Sequence, residues 1–171
     1  YTWDVRTPNS VSIVKGRFNS GSVATDRRII INPRSDGNPS GPLGCYEVTL
    51  DGYNDLVTLG YRQAASFVSI SSTAMTLADD TWYWLKVVIW DDTILVSTST
   101  DGVTYTQRLR AAAPLWKGNT FVGFRQQDNG PLGLTSVDYV SVETVDHPLL
   151  LLSDGFGRVS LGSPDVGPGA W

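Results

Sequence analysis

The stretch from Thr81 to Tyr105 constrains this chain more than any other. It reads TWYWLKVVIW, DD, TILVSTST, then DGVTY. Folded about Asp91 and Asp92, it makes a self-consistent hairpin. Ile89 meets Ile94, Val87 meets Val96 and Leu85 meets Thr98 on one face. Trp90 meets Thr93, Val88 meets Leu95, Lys86 meets Ser97 and Trp84 meets Ser99 on the other. Side chains alternate across a strand, so the first face belongs on a core. The second mixes tryptophans with Lys86 and serines.

A chain of 171 residues is long enough to bury one such core. Hydrophobic residues make up 41%, which excludes a disordered chain. The net charge of −4 and a pI near 4.8 argue against a nucleic-acid partner, which would want a basic face. No apolar run is long enough to insert in a bilayer, since the leucines at 149–152 stop at four. The single cysteine, Cys45, rules out an internal disulfide. The first residue is Tyr1, so a fragment or a processed product is expected.

Short β-rich runs recur along the rest of the chain, broken by Gly, Pro, Asn and Asp. Val11–Val14 and Arg17–Phe18 flank Lys15-Gly16 as a tight hairpin. A strand over Val23–Ile31 ends at Asn32-Pro33, and Arg34–Pro42 is a loop of turn formers. Leu43–Leu50 alternates, setting Cys45, Glu47 and Thr49 against Tyr46, Val48 and Leu50. Asp51-Gly52 turns it into Leu56–Arg62, and Phe67–Ser71 follows. Val103–Leu109, Thr120–Gln126 and Leu134–Val145 complete the set, with a connection carrying Trp116 after Ala111. Met75–Asp79 allows a turn of helix at most. So many short strands imply an all-β fold, a two-sheet antiparallel β-sandwich of jelly-roll form. Residues 1–145 form its body. Residues 146–171 are a Gly/Pro-rich tail, whose simplest reading is a linker.

The run Trp82, Leu85, Val87, Ile89, Ile94, Val96, Asp101-Gly102, Phe121-Val122-Gly123-Phe124 and Val137-Asp138-Tyr139-Val140-Ser141-Val142 resembles a concanavalin A-like (LamG-like) jelly-roll module. The tail motif of Asp154, Phe156, Arg158, Leu161, Gly162, Gly167 and Trp171 resembles the opening of such modules in bacteriophage tail proteins and some secreted bacterial proteins. There the opening stands at the N-terminus, before a segment like the one around Trp3, Ile13, Gly16 and Phe18 here. Three arrangements restore that order: a circular permutant, a piece of a tandem array, or a tail given to a neighbouring copy. Phe156, Arg158, Leu161 and Trp171 are the assembly candidates.

Glucanases of this fold place two glutamates and an aspartate on one strand. This chain has only Glu47 and Glu143. They lie in different strands, Leu43–Leu50 and Leu134–Val145, and neither has a carboxylate two or four residues away on its strand. No catalytic residue is expected. The aspartate pairs Asp79-Asp80 and Asp91-Asp92 suit turns, and the single His147 has no serine elbow to serve. No cofactor is expected except calcium, for which Asp36, Asp128 and Asn129 in Gly/Pro loops are candidate ligands. Sugar binding calls for aromatic faces beside amides and guanidiniums. Trp84, Trp90, Trp116, Tyr53, Arg125 and Gln127 are the candidates.

The reading that follows is a non-enzymatic structural and adhesive module of a phage tail or surface assembly. Its setting would be a virion, the extracellular space or a cell surface. Its partners would be copies of itself, neighbouring virion or surface proteins, and a host-envelope glycan. The alternatives are a secreted bacterial carbohydrate-binding module or glycan-active domain, and a ligand-free assembly protein.

Overall fold

The computed structural model describes residues 2–4, 7–20, 26–38, 44–64, 66–128 and 135–145. Eleven strands run through them: β1 (Thr2–Asp4), β2 (Ser10–Phe18), β3 (Arg27–Ser35), β4 (Gly44–Asp51), β5 (Leu56–Gln63), β6 (Ser66–Ala74), β7 (Trp82–Trp90), β8 (Thr93–Ser99), β9 (Thr106–Ala112), β10 (Phe121–Asp128) and β11 (Thr135–Thr144). They form a six-stranded sheet, β1-β10-β3-β4-β5-β6, and a five-stranded sheet, β11-β2-β7-β8-β9. Every pairing is antiparallel. The expected all-β sandwich is what forms, and the described residues contain no helix.

The β7–β8 hairpin has the register that its alternation predicts, from Ile89↔Ile94 to Trp84↔Ser99. Leu85, Val87, Ile89, Ile94 and Val96 are all completely buried. They pack on Ile29 and Ile31 of β3, Val48 and Leu50 of β4, and Val57 and Leu59 of β5 in one core. Two twisted sheets with one apolar face each can bury both only by facing each other.

Several local expectations are overturned. Lys15-Gly16 is no hairpin: β2 is one continuous strand, paired with β7 on one side and β11 on the other. Its two neighbours supply more ladder bonds than a local turn could. Val14 and Phe18 point into the core, while Lys15 and Arg17 alternate outward. Asn32-Pro33 does not end β3, which continues to Ser35. The β3–β10 register shifts between Phe121 and Gly123, and the bulge accommodates Pro33, which has no N–H to donate. β9 starts at Thr106 and not at Val103, because Ser99 and Asp101 fold the intervening residues into a turn. The Ser99 hydroxyl accepts from the amides of Asp101 and Gly102, and Asp101 Oδ1 accepts from those of Val103 and Thr104.

β4 runs one residue further than its alternation suggests, to Asp51, so that, against expectation, Glu47 has a carboxylate four residues away on its own strand. The Asp51 carboxylate then accepts from the amides of Tyr53 and Asn54 and closes the turn to β5. Gly52 stands against the core residue Phe18. A Cβ there would lie 2.7 Å from two atoms of the ring. Phe18 is fully buried and cannot yield. Gly52→Ala is therefore expected to cost ~1–3 kcal/mol by overpacking, read as a lower urea midpoint at unchanged slope.

Candidate functional site

β4 alternates Tyr46, Val48 and Leu50 into the core with Cys45, Glu47, Thr49 and Asp51 onto the outer face of the six-stranded sheet. The neighbouring strands decide what Glu47 meets there. In β5, Gly60 lies directly opposite Glu47, and Arg62 is opposite Cys45. In β3 and β10, Asn32 and Arg125 stand on the same face.

Four hydrogen bonds converge on the Glu47 carboxylate. Oε2 accepts from Arg62 Nε at 2.5 Å, Arg125 Nη2 at 3.0 Å and Asn32 Nδ2 at 3.4 Å. Oε1 accepts from Arg62 Nη2 at 3.3 Å. The Glu47 side chain is only 5% exposed, while those of Arg62 and Arg125 are 22% and 34% exposed. A carboxylate has about four lone-pair positions, two on each oxygen, and Oε2 carries three of the four bonds. The hydrogen bonds that Arg62 donates to Glu47 raise the Arg62 pKa, and the guanidinium stays charged. Arg125 Nε is buried with no hydrogen-bond partner among the described residues.

An aromatic platform borders this cluster. The Phe67 ring on β6 lies over Gly60, where a Cβ would sit 2.4 Å from Phe67 Cζ. Only glycine lets the ring lie that close to the sheet. The Arg62 guanidinium is 6.0 Å from the ring centroid, and Phe67 is 41% exposed. Further along the same face, Arg28 lies 2.8 Å from Asp26 and 3.3 Å from Asp51. Gln127 Nε2 donates to Asp26 at 2.7 Å.

Cys45 sits beneath this cluster, completely buried. Burial pushes its thiol up to about 12, and the Glu47 carboxylate adds to the rise. The folded protein thus keeps a proton that the unfolded chain releases from about pH 9. Stability should be unaffected below that pH. It should fall as pH rises from about 9 to 12, by ~1.4 kcal/mol per pH unit. Cys45→Ala is expected to flatten this slope in denaturation curves taken across that range. The native thiol should also resist an aromatic disulfide reagent until the protein unfolds.

The residues expected to bind sugar do not share one site. Arg125 and Gln127 stand on the face just described. Trp84 and Trp90 lie on the outer face of the opposite sheet, both half-buried. There Lys15 Nζ is 4.7 Å from the Trp82 ring centroid and 5.2 Å from that of Trp84. Gly102 also lies against the Trp84 indole. Trp116 packs against the core, with ring centroids 5.5 Å from Tyr46 and 5.6 Å from Tyr61. Tyr53 is exposed in the β4–β5 turn.

Asp36 follows one end of the β3–β10 ladder, where Ser35 meets Phe121, and Asp128 forms the other, where it meets Arg27. They cannot share one calcium ion. Asp36 accepts from the Asn38 amide, and Asp128 accepts from the Gln126 amide nitrogen and the Thr135 hydroxyl. Among the described residues no three acidic, His or Cys side chains are grouped to hold a metal. Asn129, His147, Phe156, Arg158, Leu161 and Trp171 lie outside the described residues.

Glu47, Arg62, Asn32 and Phe67 were not picked out by sequence. One signal was available: the polar residues alternating with core residues in β4. It gives a face but no partners.

No protein-family model matches this chain, and no curated protein matches it in sequence. Solved structures do. The carbohydrate-binding module CBM66 of Bacillus subtilis is 12% identical, with a TM-score of 0.64 over 84% of this chain and 78% of that one. Sheep galectin-11, solved in complex with glycerol, is 10% identical, with a TM-score of 0.62 over 84% of this chain and 96% of that one. The GH43 protein BlXynB of Bacillus licheniformis is 14% identical, with a TM-score of 0.59. That match covers 80% of this chain but 28% of the GH43 chain. At such identities the likeness speaks for the fold, and it agrees with the topology: this chain is a two-sheet jelly-roll β-sandwich.

Proposed function

We propose that this chain is a non-catalytic carbohydrate-binding module that holds its ligand on the outer face of the six-stranded sheet. The observation that carries this reading is the Phe67 ring, exposed over Gly60 beside Arg62 and the Glu47-centred cluster. A sugar ring offers C–H groups that stack on an aromatic face and hydroxyls that need polar partners, and sites of this kind combine the two. Glu47 fixes both guanidiniums in place. Their remaining N–H groups are the donors left for a ligand. The fold likeness to a carbohydrate-binding module and to a galectin supports the reading.

The non-catalytic part of the proposal follows from distance and occupancy. A glycosidase needs two carboxyl groups about 5–9.5 Å apart. Asp51 is the next carboxylate along the Glu47 face, four residues on and therefore about 13 Å away. Glu47 already accepts four hydrogen bonds from Arg62, Arg125 and Asn32.

The test is a glycan array followed by calorimetry on the sugars that bind. Phe67→Ala removes the platform from an exposed edge position and is expected to weaken binding about three- to ten-fold, with an unchanged melting temperature. Full retention of binding by Phe67→Ala, or an array without hits, would remove the proposal.

A further inference from the structure

The balance of charge in the Glu47 cluster carries the proposed function one step further, to the class of sugar. Two guanidiniums, Arg62 and Arg125, share the single Glu47 carboxylate. Asn32, the other partner of that carboxylate, is neutral. The Asp26 and Asp51 carboxylates on the same face sit within ion-pair distance of Arg28. These three guanidiniums and three carboxylates balance over the face as a whole, but Arg28 holds both aspartates at one end, so the positive surplus is local to the Arg62–Glu47–Arg125 end beside the aromatic platform.

Its hydrogen-bonding capacity is equally one-sided. The Glu47 carboxylate is 5% exposed and already accepts four hydrogen bonds, three of them on Oε2. Arg62 spends two of its five N–H groups on Glu47, and Arg125 spends one. The buried Arg125 Nε has no hydrogen-bond partner among the described residues. A half-buried site with a local surplus of positive charge and mainly donors fits a ligand that brings acceptors and one negative charge. The planar fork of a guanidinium matches the two oxygens of a carboxylate or two oxygens of a sulfate ester.

We infer that the ligand is an acidic sugar, whose anionic group sits against Arg125 and Arg62 while its ring lies over Phe67. This rests on the carbohydrate-binding reading and narrows it. An uncharged sugar would leave the local surplus of positive charge uncompensated.

The test compares ligands that differ in charge alone. Calorimetry would use trigalacturonate, its methyl ester, a neutral galactose trisaccharide and a sulfated galactose trisaccharide, each at low and high salt. Trigalacturonate is expected to bind about ten-fold or more tighter than its methyl ester. That advantage should shrink at high salt and in Arg125→Gln, which keeps hydrogen-bonding capacity and loses the charge. Tighter binding of the sulfated sugar than of trigalacturonate would assign the anionic group as a sulfate. Equal binding of trigalacturonate and its ester by the wild-type protein would overturn the acidic-sugar inference and leave the carbohydrate-binding reading standing. No binding of these sugars, with hits among neutral glycans on an array, would overturn it in the same way. No binding of any glycan would overturn both. The comparison of wild-type ligands decides the matter even if the Arg125 variant folds poorly.

Discussion

Arg34→Ala is expected to lower stability by ~3–5 kcal/mol, the largest loss from any single truncation described. Arg34 is 2% exposed and lies where the β3–β10 bulge turns the strand end toward the rim of the sandwich. Its guanidinium donates to the carbonyl oxygens of Pro8, Ala113, Leu115 and Asp91 and to Asn9 Oδ1. These acceptors come from three separate connections, β1–β2, β7–β8 and β9–β10, so one side chain ties together one end of both sheets. Among the described residues no carboxylate lies within ion-pair distance of it. Burial lowers its pKa, while the charges of Tyr46, Asp92 and Asp91 oppose the shift. Removing it strands four carbonyl oxygens at once, and an unsatisfied buried acceptor costs ~1–3 kcal/mol before water compensates. In a domain of this size the melting temperature should drop by about 10 °C. Arg34→Lys should restore less than half of the loss, because an ammonium cannot fork to acceptors on opposite sides. Arg34 also has a φ of 50°. Arg34→Gly should therefore be no less stable than Arg34→Ala, the relaxed backbone offsetting part of the damage. Urea denaturation of the three variants measures this, and an alanine variant within ~1 kcal/mol of wild type would contradict the account.

Glu47→Ala carries the second largest expected effect, and it acts on stability and binding together. The carboxylate is the common partner of Arg62, Arg125 and Asn32. Without it two guanidiniums stay on one sheet face with nothing between them, and breaking a buried ion pair from one side costs ~3–5 kcal/mol. Arg62 and Arg125 are about one quarter to one third exposed, so water recovers part of that, and ~2–3 kcal/mol is the expected net loss. Glu47→Gln keeps the shape and two of the acceptor positions and should lose less. Both variants should lose sugar affinity at temperatures where they are still folded, since the guanidiniums no longer have a fixed orientation. Calorimetry below the melting transition separates the two effects. A folded Glu47→Ala protein with undiminished affinity would show that the cluster serves the fold alone.

The two residues differ in how they could be found from sequence. Arg34 looked like part of a loop of turn formers, because Asn32-Pro33 usually closes a strand and the run after it is rich in Gly, Pro and Ser. Only the bulge opposite β10 carries the strand past Pro33 and turns Arg34 inward. Glu47 was legible as a polar residue alternating with core residues. Its role was not, because Asn32, Arg62 and Arg125 reach it from three other strands, across separations of 15, 15 and 78 residues.

The β7–β8 hairpin was decided by sequence alone. Its alternation has period two, its partners are adjacent in the chain, and a slip of one residue would turn Leu85, Val87 and Ile89 out of the core. The same local logic sufficed for the all-β class and for the burial of Tyr46, Val48 and Leu50. The sheet order was decided only by tertiary structure. Nothing local tells β10 to lie between β1 and β3, or β2 between β7 and β11. That order placed Arg125 beside Glu47 and set Trp84 and Trp90 on the opposite side of the sandwich. A strand's own sequence determines which side chains share a face. Which strands share a sheet depends on how two apolar faces are best buried together, and the candidate site depends on that choice.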